Sequence, residues 1–304
     1  MHARPSRPDR PGNVPPMHLA KVLSAIGRSC ITVGTLLLLF VAYQLWGTGI
    51  REAQAQDKLG KKFDRVLAEA PEYAPGEAPP IDPVPEGEPT AIIRIPKIGV
   101  DKNVVEGVGV ADLKKGPGHY PETPLPGQKG NAAIAGHRTT YGAPFNRVDE
   151  LEPGDEIIVE TVQGTFRYEV IDEDGDGDGH TIVSPSQVEV LEDKGDNRLT
   201  LTACHPKLSA RQRIVVFAKL AGDQVALAAQ VSGQPSSLDD ISGETSSRVP
   251  AVVLFILCGA IWVFAYCFSK LWQKWPAYAV CLTFFMVGLF FFFEEFSRML
   301  PSNF

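Results

Sequence analysis

The sequence predicts an all-β domain that closes into a barrel, carried between apolar segments long enough to enter a membrane. Short runs rich in Val, Ile and Thr recur from Thr90 onward, separated by Gly, Pro and Asp turns, which is typical of β-structure. The runs are uneven and interrupted, which favours a closed barrel over a sandwich. Apolar stretches near the roughly 20 residues that cross a bilayer lie only outside this region.

The apolar stretches and their basic flanks define the domain organisation. Arg and Lys residues precede the first stretch, and two Lys residues lie in the short loop between the last two stretches. The N-terminus is therefore expected in the cytoplasm and the β-domain outside. The predicted segments are 1–23, a disordered cytoplasmic tail; 24–46, a transmembrane helix; 47–89, a stalk and Pro-rich linker; 90–221, the β-barrel domain; 222–248, a linker; 249–268, a transmembrane helix; 269–275, a cytoplasmic loop; 276–293, a transmembrane helix; and 294–304, an extracellular tail. A cleaved signal peptide ending near Ala53-Gln-Ala55 is the alternative for the first stretch.

Period-2 alternation and turn residues place seven strands in the β-domain. They are Ala91–Ile95, Val100–Val105, Asn131–Ala135, Glu156–Glu160, Gly164–Ile171, Arg198–Cys204 and Arg213–Leu220. Helical patterns are limited to Val110–Lys115, Gly142–Val148 and a turn near Pro185–Val188. In the stalk, Leu59, Phe63, Val66 and Leu67 fall on one helical face.

The charge of the outer region argues against nucleic-acid binding, and its single cysteine excludes an internal disulfide. Residues 51–248 hold 21 Lys and Arg against 33 Asp and Glu, a net charge of −12, so nucleic acid is not an expected partner. This region has one cysteine, Cys204, and an internal disulfide is therefore impossible. A lone thiol in an oxidising compartment is a candidate for chemistry, although a buried apolar Cys is the structural alternative.

Cys204 ends a strand, and a nucleophilic thiolate needs an imidazole or a guanidinium beside it. Among the histidines, His137 ends another apolar strand and is the favoured partner, with His119 as runner-up. His205 follows Cys204 directly, so strand alternation points it to the other face. His180, in an acidic Gly-rich loop, is expected to be solvated.

Arg213 opens the strand that follows Cys204 and can reach the same strand end. Its fixed donors suit a substrate carbonyl or a developing oxyanion. Arg211, two residues earlier, is the fallback, and a plain surface charge is the structural alternative for either arginine.

Three sequence blocks, in order, resemble the signature blocks of sortases, the membrane-anchored transpeptidases of Gram-positive bacteria. The blocks are Gly-Asn-Ala-Ala-Ile-Ala-Gly-His137-Arg, Leu-Thr-Leu-Thr-Ala-Cys204-His-Pro and Arg213-Ile-Val-Val-Phe-Ala. The residues around His137 and Cys204 look most like the class E, actinobacterial housekeeping-type branch. The resemblance implies a closed eight-stranded β-barrel, catalytic roles for Cys204, His137 and Arg213, and substrate contacts at Tyr141, Thr202 and Ala203.

The resemblance also implies a reaction and its partners. The Cys204 thiolate would cleave a C-terminal sorting signal between Thr and Gly and transfer the acyl group to the amine of a lipid-linked peptidoglycan precursor, with no cofactor required. The Tyr141 pattern points to Leu-Ala-x-Thr-Gly rather than Leu-Pro-x-Thr-Gly signals. The alternatives are a pilin-polymerising sortase that uses a Lys acceptor, simple hydrolysis, and an inactive membrane-bound binding scaffold.

Several features depart from the family pattern or add to it. Ala203 stands where many sortases carry Thr or Ile, and a C-terminal membrane hairpin is more familiar in pilin-polymerising members. Asp82-Pro83 resembles the start of a lid motif, but Val84 replaces the aromatic residue. Asp172, Asp174 and Asp176 match the first half of a calcium loop. The position of the bidentate carboxylate is occupied by Val183, so calcium binding competes with a plain solvated acidic turn.

Overall fold

The computed structural model describes residues 17–74, 76–79, 81–222, 224–228, 249–271 and 274–299. It divides into two compact units, one ending at Ala42 and one beginning at Tyr43. The first unit contains helix α1 (Met17–Ala42). Parts of the predicted tails, of the 222–248 linker and of the 269–275 loop lie outside the described residues.

Nine strands of the second unit form one sheet that closes on itself. They are β1 (Pro89–Ile95), β2 (Val100–Glu106), β3 (Gly118–His119), β4 (Asn131–Ala135), β5 (Glu156–Thr161), β6 (Gly164–Val170), β7 (Thr181–Val183), β8 (Arg198–His205) and β9 (Gln212–Leu220). The strand order is β6-β5-β1-β2-β3-β4-β8-β9, and pairing of β6 with β9 closes this ring of eight. Strand β7 is added on the edge of β9. The predicted closed eight-stranded barrel is confirmed.

The sheet around β8 has an apolar cluster on each face. Leu199, Leu201 and Ala203 face the barrel interior, together with Ile134 of β4. On the other face of the sheet, Ala133 and Ala135 of β4 belong to a second buried cluster with Val215 and Phe217 of β9. Thr200 and Thr202 therefore point out of the barrel, and so does the next residue in that alternation, Cys204.

The short helices only partly follow the predicted ones. Helix α3 (Val110–Leu113) lies within the predicted 110–115 helix, and a 3₁₀ turn covers Val188–Leu191. The predicted helix over 142–148 is wrong. Tyr141, Gly142 and Ala143 have φ angles of 49°, 73° and 43°, and a right-handed helix cannot start from three left-handed residues. A 3₁₀ turn forms only later, at Val148–Glu150.

Helix α2 (Thr48–Glu69) follows a π-helical turn at Tyr43–Gly47 and packs on the barrel. Leu59 and Phe63 of its apolar face are buried, as the amphipathic pattern predicts, whereas Val66 is exposed. The Gln56 side chain accepts the backbone N–H of Asn103 in β2 at 2.8 Å and donates to its carbonyl at 3.0 Å. The helical part of the predicted stalk therefore lies against the barrel.

The predicted linker after 221 begins within the barrel. Leu227 is buried in the main core. Its N–H donates to the Gly127 carbonyl, and its carbonyl accepts the Lys129 N–H, each at 2.8 Å. An apolar side chain inside an Ala- and Gln-rich stretch supplies this contact, so the domain extends past the predicted boundary.

Two helices at the C-terminal end, α4 (Val249–Leu271) and α5 (Lys274–Met299), pack against each other and extend into the predicted 269–275 loop. Tyr43 contacts α5 with ring centroids 5.2 Å from Phe290, and Arg51 forms an ion pair with Glu294. Among the described residues, one helix, Lys21–Glu69, is long and apolar enough to cross a membrane, and Val252–Ile261 is a shorter apolar stretch. The predicted count of three membrane helices is therefore not confirmed.

Candidate active site

The antiparallel register of β8 and β9 puts Cys204 directly opposite Arg213. Directly opposed residues of an antiparallel pair project to the same face, so the guanidinium and the thiol share the outer face of the sheet. Arg213 is 5% exposed, and its Nη1 donates to the carbonyls of Ala210 at 2.9 Å and Gln212 at 3.2 Å. Arg211 is exposed, so the structure brings Arg213, and not the fallback, to the cysteine.

The parallel register of β4 and β8 brings His137 to the same edge. Ala135 pairs with Thr202, and the Gly136 N–H donates to the Thr202 carbonyl at 3.0 Å. Continuing that register by two residues places His137 beside Cys204. Because Ala133 and Ala135 face outward, His137 falls on the outward face in the same alternation. The three residues of the predicted catalytic set thus meet at one end of three neighbouring strands.

His137 is half-buried and packs against Tyr141. Its Nε2 is buried and has no hydrogen-bond partner among the described residues. Burial, and after it the positive charge of Lys114, lowers the pKa of His137 to about 4. The imidazole is therefore neutral near pH 7 and can accept a proton. The Tyr141 ring centroid lies 5.2 Å from that of His137, and the Lys114 ammonium lies 5.8 Å from the Tyr141 ring.

The runner-up, His119, is a buried histidine with both ring nitrogens engaged. Its Nδ1 lies 3.0 Å from both carboxylate oxygens of Glu106, and its Nε2 lies 3.0 Å from the Pro124 carbonyl and 3.2 Å from the Thr123 hydroxyl. A histidine tied on both sides has no nitrogen left for proton exchange with a thiol. His119 is a structural residue of the barrel.

Of the other two histidines, His205 lies on the face opposite the thiol, and His180 is half-buried. His205 follows strand alternation to the opposite face, where its Nδ1 accepts a hydrogen bond from Arg138 at 3.1 Å. Burial first, and then Arg138, lowers the His205 pKa. His180 is half-buried, and its Nδ1 is enclosed without a partner in the described ranges. The expectation that His180 is solvated is wrong.

The sequence analysis did not predict Arg138, whose side chain links the strand ends that carry His137 and Cys204. Its side chain is 3% exposed, and Nη2 pairs with the Asp149 carboxylate at 2.8 Å. Its Nη1 donates to His205 Nδ1 and, at 3.4 Å, to the Cys204 carbonyl. The signal was available: Arg138 follows His137 as His205 follows Cys204, so alternation sends both to the same face.

The three predicted substrate-contact residues have different environments. Tyr141 lies at the site beside His137. The Thr202 hydroxyl is 3.1 Å from the hydroxyl of Tyr120, a residue whose pKa burial raises to about 12. The Ala203 side chain faces the barrel core and is 4% exposed. A substrate contact through the Ala203 side chain is therefore wrong, because the strand turns it inward.

The acidic loop uses its carboxylates internally. Asp172 accepts the N–H groups of Gly175 at 2.7 Å and Gly177 at 3.0 Å, and Asp174 accepts the Thr181 hydroxyl at 2.6 Å. Within the described part of the chain, no group of three or more His, Cys, Asp or Glu side chains is arranged to hold a metal ion. Calcium binding by Asp172, Asp174 and Asp176 stays a prediction without a preformed ligand set.

The segment that carries Asp82-Pro83 contacts the barrel far from the thiol. The Pro79 carbonyl accepts a hydrogen bond at 2.8 Å from Gln163, in the turn between β5 and β6. Because β6 pairs antiparallel with the end of β9 remote from Arg213, this turn lies at the other end of the barrel. A lid at Asp82-Pro83 stays a prediction.

This chain is similar to known proteins in sequence and in structure. The family model described as "Sortase domain" matches residues 93–221. Sortase SrtE1 of Streptomyces coelicolor is 36% identical over 230 residues, which cover 70% of this chain and 60% of that protein. Sortase D of Bacillus subtilis is 33% identical over 136 residues, covering 44% of this chain and 64% of that protein. The solved structure of sortase E from Streptomyces avermitilis is 36% identical, with a TM-score of 0.40, covering 46% of this chain and 91% of that one.

The domain over residues 93–221 belongs to the sortase family, and the barrel edge with Cys204, His137 and Arg213 lies within these residues. Within the family it is class E-like, since its relatives include SrtE1 and SrtE2, the second 29% identical over 229 residues. The chain spans 60% of the length of SrtE1.

Proposed function

We propose that this protein is a membrane-anchored cysteine transpeptidase that cleaves a Leu-Ala-x-Thr-Gly or Leu-Pro-x-Thr-Gly sorting signal between Thr and Gly and transfers the acyl group to a cell-wall precursor amine. The observation that carries the proposal is the convergence of β4, β8 and β9: Cys204 opposite Arg213, with His137 continuing the register beside Cys204. Family membership supports the reaction class.

Each residue has a distinct role in the proposed reaction. The Cys204 thiolate attacks the Thr carbonyl carbon, and the Arg213 guanidinium stabilises the oxyanion of the tetrahedral intermediate. His137 takes the thiol proton and delivers it to the leaving Gly nitrogen as the C–N bond breaks. The product is a thioester between Cys204 and the signal. An acceptor amine then attacks the thioester and passes its proton to His137 as the C–S bond breaks. His137 returns that proton to the departing Cys204 thiolate, which restores the thiol and the neutral imidazole.

The base role requires that His137 is neutral before the thiol reacts. Because burial keeps its pKa near 4, the imidazole of the free enzyme is neutral at pH 7 and accepts the proton as the thiol reacts. The imidazolium then exists only while the amine leaves, when a proton donor is needed. The coupled thiol and imidazole should titrate as a pair rather than as separate groups.

The membrane setting and the partners belong to the same proposal. The apolar helix Lys21–Glu69 supports an N-terminal anchor, and the basic residues before it support a cytoplasmic N-terminus. The proposed enzyme is a multi-pass protein of the cell membrane with its barrel outside. Its donors are secreted proteins with a C-terminal sorting signal, and its acceptor is a lipid-linked peptidoglycan precursor. The pilin-type alternative replaces that acceptor with a Lys side chain.

The test uses the full chain in nanodiscs with labelled sorting-signal peptides. Leu-Ala-x-Thr-Gly and Leu-Pro-x-Thr-Gly peptides are incubated with a Gly-type amine, with a Lys side-chain amine or with no amine, and products are identified by mass spectrometry. We expect cleavage between Thr and Gly, and a larger yield of the transfer product with the Gly-type amine than with the Lys side-chain amine. Preference for the Lys amine would favour the pilin-type alternative, and cleavage unaffected by any amine would favour hydrolysis.

Matched substitutions separate the proposed site from its neighbours. Arg213→Ala and His137→Ala should lower turnover by orders of magnitude, since oxyanion stabilisation and acid–base catalysis each contribute roughly 10²-fold or more. Arg211→Ala and His205→Ala are the matched controls and should be milder. If a control variant is the more damaging member of its pair, the assignment of that residue is wrong.

A further inference from the structure

Helix α2 makes a direct hydrogen bond to the loop that follows His137. The Thr48 hydroxyl accepts the backbone N–H of Tyr141 at 3.1 Å and donates to the Gln44 carbonyl one turn earlier at 2.8 Å. Thr48 is 0% exposed, so its hydroxyl makes both hydrogen bonds away from solvent. A residue of the predicted stalk is therefore part of the wall behind the site.

One turn further along α2, Glu52 covers the next residue of the same loop. Its side chain is 2% exposed and pairs with Lys102 of β2 at 2.6 Å. A Cβ added to Gly142 would lie 2.5 Å from Oε2 of Glu52. Gly49, between Thr48 and Glu52, faces the Gly142 backbone, since a Cβ added there would lie 3.9 Å from its nitrogen. The helix and the loop are in van der Waals contact over one helical turn.

The loop needs support because its backbone is strained. Tyr141, Gly142 and Ala143 are all left-handed, with φ of 49°, 73° and 43°, and two of the three carry a side chain that disfavours this region. Such a conformation persists where surrounding contacts determine it. One contact is internal, from the Ala143 N–H to the Thr140 carbonyl at 2.9 Å. Those to Thr48 and Glu52 come from α2.

The strained backbone determines where the Tyr141 ring lies. That ring is tilted 34° against the His137 ring at 5.2 Å and lies under the Lys114 ammonium. A rotation of the Tyr141 backbone would move the ring from His137 and let water reach the imidazole. The position of the proposed acid–base residue thus depends on contacts made by a helix outside the barrel.

We propose that α2 is a positioning element of the active site, in which Thr48 and Glu52 hold residues 141–143 in the conformation that packs Tyr141 against His137. The inference rests on the proposed function, since it takes His137 as the acid–base residue. It extends that function by making the juxtamembrane helix necessary for full turnover. A barrel that lacks α2 would fold around its own core yet work poorly.

The test compares Thr48→Val with Thr48→Ser in the full chain in nanodiscs, using the sorting-signal peptide and amine assay. Valine keeps the β-branched shape and removes the acceptor, whereas serine restores it. Loss of one buried hydrogen bond is expected to lower kcat about tenfold in Thr48→Val, with KM changed less than about twofold because no substrate contact is removed. Thr48→Ser should stay within about twofold of the wild type.

Two further variants control for folding and for a general effect of α2. Lys62→Ala removes an exposed ion pair between α2 and Glu88, away from the loop, and should leave kcat unchanged. Gly142→Ala perturbs the same contact from the loop side by meeting Glu52, and it should reproduce the kcat loss. Because Gly142 has a φ of 73°, alanine also strains the loop itself, so Gly142→Ala only supports the result at Thr48. If Thr48→Val does not fold, Thr48→Ala takes its place against Thr48→Ser.

The outcomes separate this inference from the proposed function. If the wild type forms no cleavage product, or Cys204→Ala forms it equally well, the proposed function fails. If the wild type is active and folded Thr48→Val and Gly142→Ala both keep wild-type kcat, the function stands and the positioning role of α2 is refuted. An equal kcat loss in Thr48→Ser and Thr48→Val also refutes it, because the hydroxyl would then not matter.

Discussion

Acidification should destabilise the folded protein through His137. The perturbation is a change from pH 7 to pH 4 in the wild type and in His137→Gln, which keeps a polar side chain but removes the titrating ring. Burial first, and then the Lys114 charge, lowers the His137 pKa from 6.5 to about 4. The unfolded chain, with an unperturbed imidazole, takes up a proton that the folded chain refuses throughout this range.

The sign and size follow from linkage. Between pH 6.5 and pH 4 the unfolded state binds more protons at this position, so stability falls as the pH falls. The contribution is fully present above about pH 6.5 and is lost below about pH 4. At about 1.4 kcal/mol per pKa unit, the difference between the two values corresponds to about 3 kcal/mol of unfolding free energy.

The assay is urea unfolding of the detergent-solubilised full chain, followed by far-ultraviolet circular dichroism at several pH values. Other groups with shifted pKa values, such as His205 and Asp196, contribute to both proteins. The difference between wild type and His137→Gln therefore isolates the imidazole. This difference in unfolding free energy should change by about 3 kcal/mol between pH 7 and pH 4, with the wild type losing more stability than His137→Gln. Parallel stability curves for the two proteins would refute the buried, neutral state of His137.

Three further outcomes are expected. His119→Ala should lower the free energy of unfolding by about 3–5 kcal/mol, because it strands the buried Glu106 carboxylate; a thermal melt measures this, and an unchanged melting temperature would contradict the structural role. Arg138→Lys should lower the acylation rate about tenfold, because one ammonium cannot bind Asp149, His205 and the Cys204 carbonyl together. Single-turnover kinetics measure this rate, and a wild-type rate would show that the link made by Arg138 does not position Cys204. Added calcium should raise the melting temperature only if Asp172, Asp174 and Asp176 rearrange into a ligand set, and Asp174→Asn should abolish any such shift; no shift in the wild type would end the calcium hypothesis.

The strands that build the site were predictable because their alternation is strict. In β8 every second residue, from Leu199 to Ala203, is apolar and enters the barrel core, so the outward placement of Cys204 and the inward placement of Ala203 follow from sequence alone. The same rule predicts that Ala203 faces the core and that Arg138 accompanies His205. Both placements follow from strand alternation, although the sequence analysis did not state them.

Other features depend on tertiary contacts that no local pattern records. Strands β3 and β7 have two and three residues, too few for any periodicity, and exist because neighbouring strands pair with them. The left-handed backbone at residues 141–143 carries Tyr and Ala where Gly would signal it, and α2 supplies the missing support. The docking of α2 rests on Thr48, Glu52 and Gln56, whose polar side chains resemble those of a solvated helix face. Leu227 is likewise an isolated apolar residue in a linker-like sequence, and only its contacts with Gly127 and Lys129 show that it belongs to the barrel.

The most direct test of the central claim is to trap the acyl-enzyme. The full chain in nanodiscs is mixed with a sorting-signal peptide in the absence of an acceptor amine, quenched in acid and digested, and the fragment that contains Cys204 is weighed. We expect a mass increase on Cys204 equal to the peptide up to its Thr. The increase should be absent in Cys204→Ala and should disappear when an amine is added. Cleavage by Cys204→Ala, or an acyl group on any other residue, would contradict it.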